Sequence, residues 1–269
     1  MRLIPIRYTL LFVVIVLTAS CRKVISLDLH NAAKRLVVEA DVSNQAGGCQ
    51  VLLSQTANFD ADNDFPPVNG ASVRISDNAG NTTTLTEASP GTYVAPSLVA
   101  QTGVTYHLLV VSNGDTVSAV STVPEPVNFD NLYISEEQIF GSTYKLANVI
   151  YTDPADIGHY YQFVQWINGV KVKQIYTADN QLTAGRNQDV ELYLDPNTKD
   201  KDKIKTGDTV TVEMQCLDEA AHAYWFSAEQ SATGDNQNAV PSNPVSNLVG
   251  NALGYFSAHT SQTRTVQVP

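Results

Sequence analysis

The chain is 269 residues long and carries 16 basic against 27 acidic side chains, a formal net charge of −11. That balance excludes a nucleic-acid partner, because nucleic-acid binders present basic patches. Charged residues make up only 16% of the chain, and Thr, Ser, Asn and Val are abundant, which is the usage of β-rich exported proteins rather than of helical enzymes.

The first element is a leader over residues 1–20. Arg2 and Arg7 form a positive start, residues 9–18 an apolar core, and Ala19 and Ser20 are small residues ahead of Cys21. This is the three-part layout of a secretory signal. The apolar core of about ten residues is too short to cross a ~30 Å hydrocarbon layer as a helix. The small-small-Cys ending resembles a bacterial lipobox, with Thr18 where the commonest pattern has Leu. Cys21 is therefore the expected lipidation residue, with plain secretion as the alternative; a triacylated N-terminus would anchor the protein stably in a membrane. Two basic residues leave with the leader, so the mature chain has 14 basic against 27 acidic side chains, or −13.

Residues 21–35 read as a tether. From Leu36 the pattern turns β-like: residues 36–42 are rich in β-branched side chains and end in a Ser-Asn-Gln-Ala-Gly-Gly turn, and residues 50–56 return. Residues 57–69 form an acidic loop containing Asp60, Asp62 and Asp64, whose alternate carboxylates could wrap a calcium ion. An EF-hand beginning at Asp60 needs Gly at its sixth position and Glu at its twelfth, where this chain has Phe65 and Ala71. Any such site would be a looser one, and a solvated loop is the other reading. Residues 71–77 alternate as a half-buried strand, residues 82–87 and 90–94 follow, and residues 102–111 and 116–123 flank the hairpin turn Asn113-Gly114-Asp115. Pro124-Glu125-Pro126 stops the last of these. Short strands at this spacing predict a β-sandwich over residues 36–125.

The second part, residues 126–269, offers strands over 129–134, 145–151, 160–168, 170–176, 190–194 and 209–217, with Asn168-Gly169 as a hairpin turn. At residues 218–230 the pattern changes to a helix, with Leu217, Ala221, Tyr224, Trp225 and Ala228 at helical spacing on one face. The tail over 241–256 is irregular, rich in Pro, Asn and Gly, and residues 263–268 form a last strand. The expected fold is mainly β: an N-terminal Ig-like or transthyretin-like β-sandwich, then a second antiparallel β domain with one packed α-helix.

Cys49 and Cys216 could pair in an oxidising compartment; two buried thiols on different strands is the reading their apolar surroundings favour. None of the five histidines has a metal-ligand spacing, and no nucleophile elbow or phosphate-binding loop is present. No cofactor is expected and no catalytic residue is assigned. His222, beside Glu219, suggests a salt bridge. Among the aromatics, spacing places Trp166 and Trp225 in the core, while the Gly-flanked pair Tyr255 and Phe256 is the candidate binding surface.

Several pieces line up in order. The cysteine is followed by Ser26-Leu27-Asp28-Leu29 and Leu36-Val37-Val38-Glu39-Ala40. Then come the run from Val68-Asn69-Gly70 through Asp77-Asn78-Ala79-Gly80, and Gly91-Thr92-Tyr93. Tyr224-Trp225, Pro241-Ser242-Asn243-Pro244-Val245-Ser246-Asn247-Leu248 and Gly254-Tyr255-Phe256-Ser257-Ala258 close the series. Together these resemble the Bacteroidetes lipoproteins called domain of unknown function 4249, over essentially the whole mature chain. The resemblance implies an outer-membrane accessory lipoprotein, non-enzymatic, that associates with a TonB-dependent receptor or its cargo. A carbohydrate- or peptide-binding lipoprotein, or a hydrolase with a dispersed site, are the alternatives. Arg22-Lys23 stands where surface-exported lipoproteins of this group often have an acidic run, which leaves the membrane face open.

Overall fold

The computed structural model describes residues 33–58, 65–139, 141–194, 203–233 and 243–269. The expected leader, the expected lipidation residue Cys21, and the loop carboxylates Asp60, Asp62 and Asp64 lie outside the described residues. Among the described residues no helix is long and apolar enough to cross a membrane.

The fold is mainly β, with one helix among the described residues. Its first strands are β1 (Leu36–Ser43), β2 (Cys49–Gln55), β3 (Ser72–Asp77), β4 (Thr82–Thr84), β5 (Thr86–Ser89), β6 (Thr92–Val94), β7 (Thr105–Ser112) and β8 (Asp115–Thr122). They are followed by β9 (Phe129–Ile139), β10 (Ser142–Thr152), β11 (Tyr160–Ile167), β12 (Val170–Lys171), β13 (Tyr176–Asp179), β14 (Asn187–Leu192) and β15 (Thr209–Leu217). The helix α1 (Glu219–Thr233) and the strand β16 (Ala252–Gln267) complete the chain.

One long sheet runs β12-β11-β15-β16-β1-β2-β6-β5, with β13 also paired to β11. A four-stranded sheet, β4-β3-β7-β8, packs on one part of it and a three-stranded sheet, β14-β10-β9, on another. Two apolar cores result. The first joins Val38, Ala40 and Val42 of β1, Val51 and Leu53 of β2, Val73 and Ile75 of β3, Leu108 and Val110 of β7, and Phe256 and Ala258 of β16. The second joins Phe129 and Leu132 of β9, Val149 and Tyr151 of β10, Tyr161 and Phe163 of β11, and Val210, Val212 and Met214 of β15. Strict alternation produces both: β1 and β7 bury every second side chain, so one face of each is apolar. Each fully buried Val, Leu or Phe stabilises the fold by roughly 1.5–3 kcal/mol.

The strand β16 belongs to both halves. Its first eight residues pair in parallel with β1, from Leu36↔Ala252 to Ser43↔His259. Its later residues pair antiparallel with β15, from Cys216↔Thr260 to Thr209↔Gln267. The irregular tail expected up to Phe256 thus gives way to a strand that starts at Ala252. Residues 254–260 of this strand are buried on both faces, by a core beneath and by α1 and its neighbours above, so no alternation advertises it.

Two further differences are local. The expected single strand over 82–87 is two strands, β4 and β5, in different sheets. The expected strand over 170–176 is broken: Trp166 pairs with Lys171 and Phe163 with Tyr176. Four residues, 172–175, therefore stand opposite two on β11 and arch away from it as a large bulge. Both Asn-Gly turns are formed, with Asn113 and Asn168 at φ 50° and 51°, the conformation a two-residue hairpin demands. Cys49 and Cys216 are both free and buried, one in each core.

Candidate functional site

The face of the long sheet turned away from the cores is polar, and α1 crosses it. On β1 the outward side chains are Glu39 and Asp41, on β16 Tyr255, Ser257 and His259, on β15 Glu213 and Gln215, and on β11 Gln162 and Val164. The pairings set them side by side: Glu39↔Tyr255 and Asp41↔Ser257, then Gln215↔Ser261, then Gln162↔Gln215 and Val164↔Glu213.

Helix α1 is held over this face at both ends. Asp218 caps it, its Oδ1 accepting from the Ala221 N–H at 2.8 Å. Further along, the Thr177 hydroxyl of β13 donates to Glu229 at 2.5 Å. Ala221 is fully buried, and Tyr224 and Trp225 lie against Tyr255, with ring centroids 4.9 Å away in both cases. The Trp225 ring meets Tyr224 edge-on at 5.3 Å. Three mutually packed rings hold the indole in one orientation.

Beside Trp225 is a cavity of about 320 Å³. The bulge of residues 172–175 forms one wall, Gln162 and Val164 the floor, and the Trp225 indole the other wall. Lys171, Lys173 and Gln174 are at its lining. The volume falls at the small end of the range for small-molecule sites.

Beyond Tyr255 the same face carries a carboxylate network. The Tyr255 hydroxyl donates to Asp41 Oδ2 at 2.8 Å. The Ser257 hydroxyl lies 3.0 Å from His259 Nδ1, and Asp41 Oδ1 lies 3.9 Å from that same nitrogen. Ser261 donates to Glu213 at 2.5 Å. Partial desolvation raises the pKa of Glu39, and the Asp41 charge adds to this, while Lys171 pulls it down. Desolvation also raises Asp41, partly offset by His259 and the Tyr255 hydroxyl. The Tyr224 hydroxyl is pushed up to about 12 by burial and by Glu39.

This network has the residue types of a serine hydrolase without its arrangement. A relay needs the serine on one imidazole nitrogen and the aspartate on the other. Here both approach Nδ1, and Ser257 and His259 are 1% and 2% exposed. Among the described residues no group of three or more His, Cys, Asp or Glu side chains is placed to hold a metal ion.

The residues singled out in the sequence land differently. Tyr255 and Phe256 are neighbours on β16, so their side chains point to opposite faces. Phe256 is 0% exposed in the first core, while Tyr255, 7% exposed, anchors Asp41 and braces Trp225. The pair is therefore divided between a core and the network rather than forming one surface. Trp225, expected in the core, lines the cavity instead. Lys171, Lys173, Glu39 and Asp41 carried no motif; only their outward register on the long sheet and its bulge brings them to this face.

His222 makes no salt bridge with Glu219 among the described residues. It stacks on Tyr160 at 4.9 Å and on Phe226 at 6.0 Å, and its Nε2 has no hydrogen-bond partner. Burial lowers its pKa. The unfolded chain takes up a proton near pH 6.5, whereas the fold resists it. The stability His222 supports is full above that pH and is lost as pH falls through its lowered value. His222→Phe keeps the ring stack and removes the orphan nitrogen, so its melting temperature should gain on the native protein as pH drops from 7.5 to 5. A difference that stays constant with pH would show that His222 does not titrate against folding.

A family model described as a domain of unknown function, DUF4249, matches residues 22–265. No curated protein matches the chain. Two solved structures align loosely. A cytokine receptor complex is 12% identical, covering 86% of this chain and 95% of that one, with a TM-score of 0.24. A chicken interferon gamma receptor alpha chain is 8% identical, covering 88% and 98%, also with a TM-score of 0.24. Scores that low support no inference from either. On the family match, which spans most of the chain, this protein belongs to the DUF4249 family.

Proposed function

We propose that this protein is a lipid-anchored outer-membrane accessory of a TonB-dependent receptor, and that it holds a ligand or partner segment rather than transforming it. The observation that carries the binding part is the recess beside Trp225. It combines a fixed indole, amide side chains and two lysines around a cavity of about 320 Å³, and among the described residues no Ser, Cys, His or carboxylate lines it. Such a lining orients and retains a ligand, and it lacks the paired acid and base that hydrolysis needs. The leader and Cys21 support the anchored location, and the family resemblance supports the receptor association. A second reading, a lipoprotein that captures carbohydrate or peptide before uptake, is favoured by the half-buried indole facing the cavity.

Affinity isolation of the intact lipoprotein from its own membranes after mild crosslinking tests the proposal. A TonB-dependent transporter should be recovered with it, and repeated recovery of none would overturn the receptor association. Cys21→Ser should move the protein to the soluble fraction; a variant that is still processed and stays in the membrane would overturn the lipid anchor.

A further inference from the structure

We infer that the recess beside Trp225 binds a carboxylated saccharide, with a sugar ring on the indole and the carboxylate on Lys171 and Lys173. This rests on the reading of the recess as a binding site and adds the chemistry of its occupant.

The first support is the way the cavity is made. A regular ladder between β11 and its neighbour would bring residues 172–175 flat against Val164 and Gln165. The two extra residues arch outward, and the hydrogen bond from the Val172 N–H to the Gln165 carbonyl, at 2.8 Å, holds the near side of the arch down. Bulges of this kind re-aim side chains beside functional sites. Here the bulge places Lys173 and Gln174 at the cavity and leaves Lys171 on the last ladder pair before it.

Charge is the second support. The chain has 27 acidic and 16 basic side chains, so a lysine on its surface has carboxylates to choose from. Lys171 and Lys173 are nevertheless exposed and form no ion pair among the described residues. Glu39 and Asp41 act on Lys171 only through space. Two unpaired ammonium groups at one cavity fit an anionic group that accepts charge-assisted hydrogen bonds.

The third support is the indole. Trp225 is fixed by Tyr224 and Tyr255, so its face is presented without an entropic cost of ordering. A flat apolar face beside hydrogen-bonding groups matches a pyranose, which has a C–H face and a rim of hydroxyls. Gln162 and Gln174 each offer a donor and an acceptor for such hydroxyls. A neutral sugar would leave Lys173 without a counter-charge and Lys171 with carboxylates that reach it only through space. An acidic peptide would pair with the lysines but has no rigid flat face for the indole.

Calorimetric titration of the detergent-solubilised full-length protein tests this with three probes: a short oligogalacturonate, the same oligomer as its methyl ester, and oligoglutamate of equal charge. The oligogalacturonate should bind, with the ester about tenfold weaker or worse, the loss of a charge-assisted contact. Lys171→Gln with Lys173→Gln should weaken oligogalacturonate about tenfold and leave the ester unaffected. Trp225→Ala should weaken both sugars. These variants must melt at the native temperature, so that a loss of binding is not a loss of fold. Tighter binding of oligoglutamate, or equal binding of the acid and its ester, overturns the saccharide assignment and leaves the recess as a binding site. No binding by any probe overturns the inference, while recovery of a transporter by crosslinking would still uphold the proposed function.

Discussion

Gly254→Ala should cost about 4 kcal/mol or more. Gly254 sits in the parallel pairing of β16 with β1, opposite Val38. Its φ is 107°, which L side chains rarely adopt. A methyl group added there would lie 2.8 Å from the Val38 carbonyl carbon and in hard overlap with its oxygen. Backbone strain of this kind costs of order 1–3 kcal/mol and overpacking a similar amount again. Neither can relax cheaply, because Val38 is fully buried and bound on its other side to β2 through the Val38↔Leu53 pair. Against a total stability of about 5–15 kcal/mol for a domain, the loss is large. Equilibrium urea unfolding is the check. A cost under about 1 kcal/mol would mean that β1 and β16 are not this close.

Asp218→Ala should cost about 3 kcal/mol through a different mechanism. The carboxylate does two jobs at once. Its Oδ1 caps α1 at Ala221, and its Oδ2 accepts from the Ser121 hydroxyl at 2.7 Å and from the Thr122 N–H at 3.0 Å. Ser121, 1% exposed, in turn accepts from the Ala258 N–H at 2.8 Å. One side chain thus connects the helix, the strand β8 and the shared strand β16. Losing a cap costs about 1 kcal/mol, and losing hydrogen bonds to a charged group about 1.5–3 kcal/mol. Asp218→Asn, which retains acceptor oxygen for the cap, should recover a good part of the loss. In a double-mutant cycle with Ser121→Ala, the two sites should couple by about 1 kcal/mol or more. Additive losses would show that Asp218 acts only as a helix cap.

Much of the β structure was legible because its causes are local. The alternation in residues 71–77 and 105–112 comes from one face packing on a core and the other facing water. Asn113-Gly114 and Asn168-Gly169 encode their turns directly, since both positions need positive φ. The helix was visible from its acidic first turn and its apolar spacing, and it begins one residue later than expected. The site was far less legible. Trp225 has the same spacing whether it fills a core or walls a cavity. Nothing in Val172-Lys173-Gln174-Ile175 announces a bulge, since it reads as more strand.

The β-rich class and the position of the helix follow from the sequence by itself, because each rests on the order of residues within a short window. The sharing of β16 between two cores, the separation of Tyr255 from Phe256, and the meeting of Lys171 with Trp225 were decided only by tertiary structure. Each depends on which strands pair across more than 40 residues of chain, and pairing at that range is set by how the sheets close over their cores. Residues buried on both faces, as in β16, then lose the alternating pattern that would have announced them.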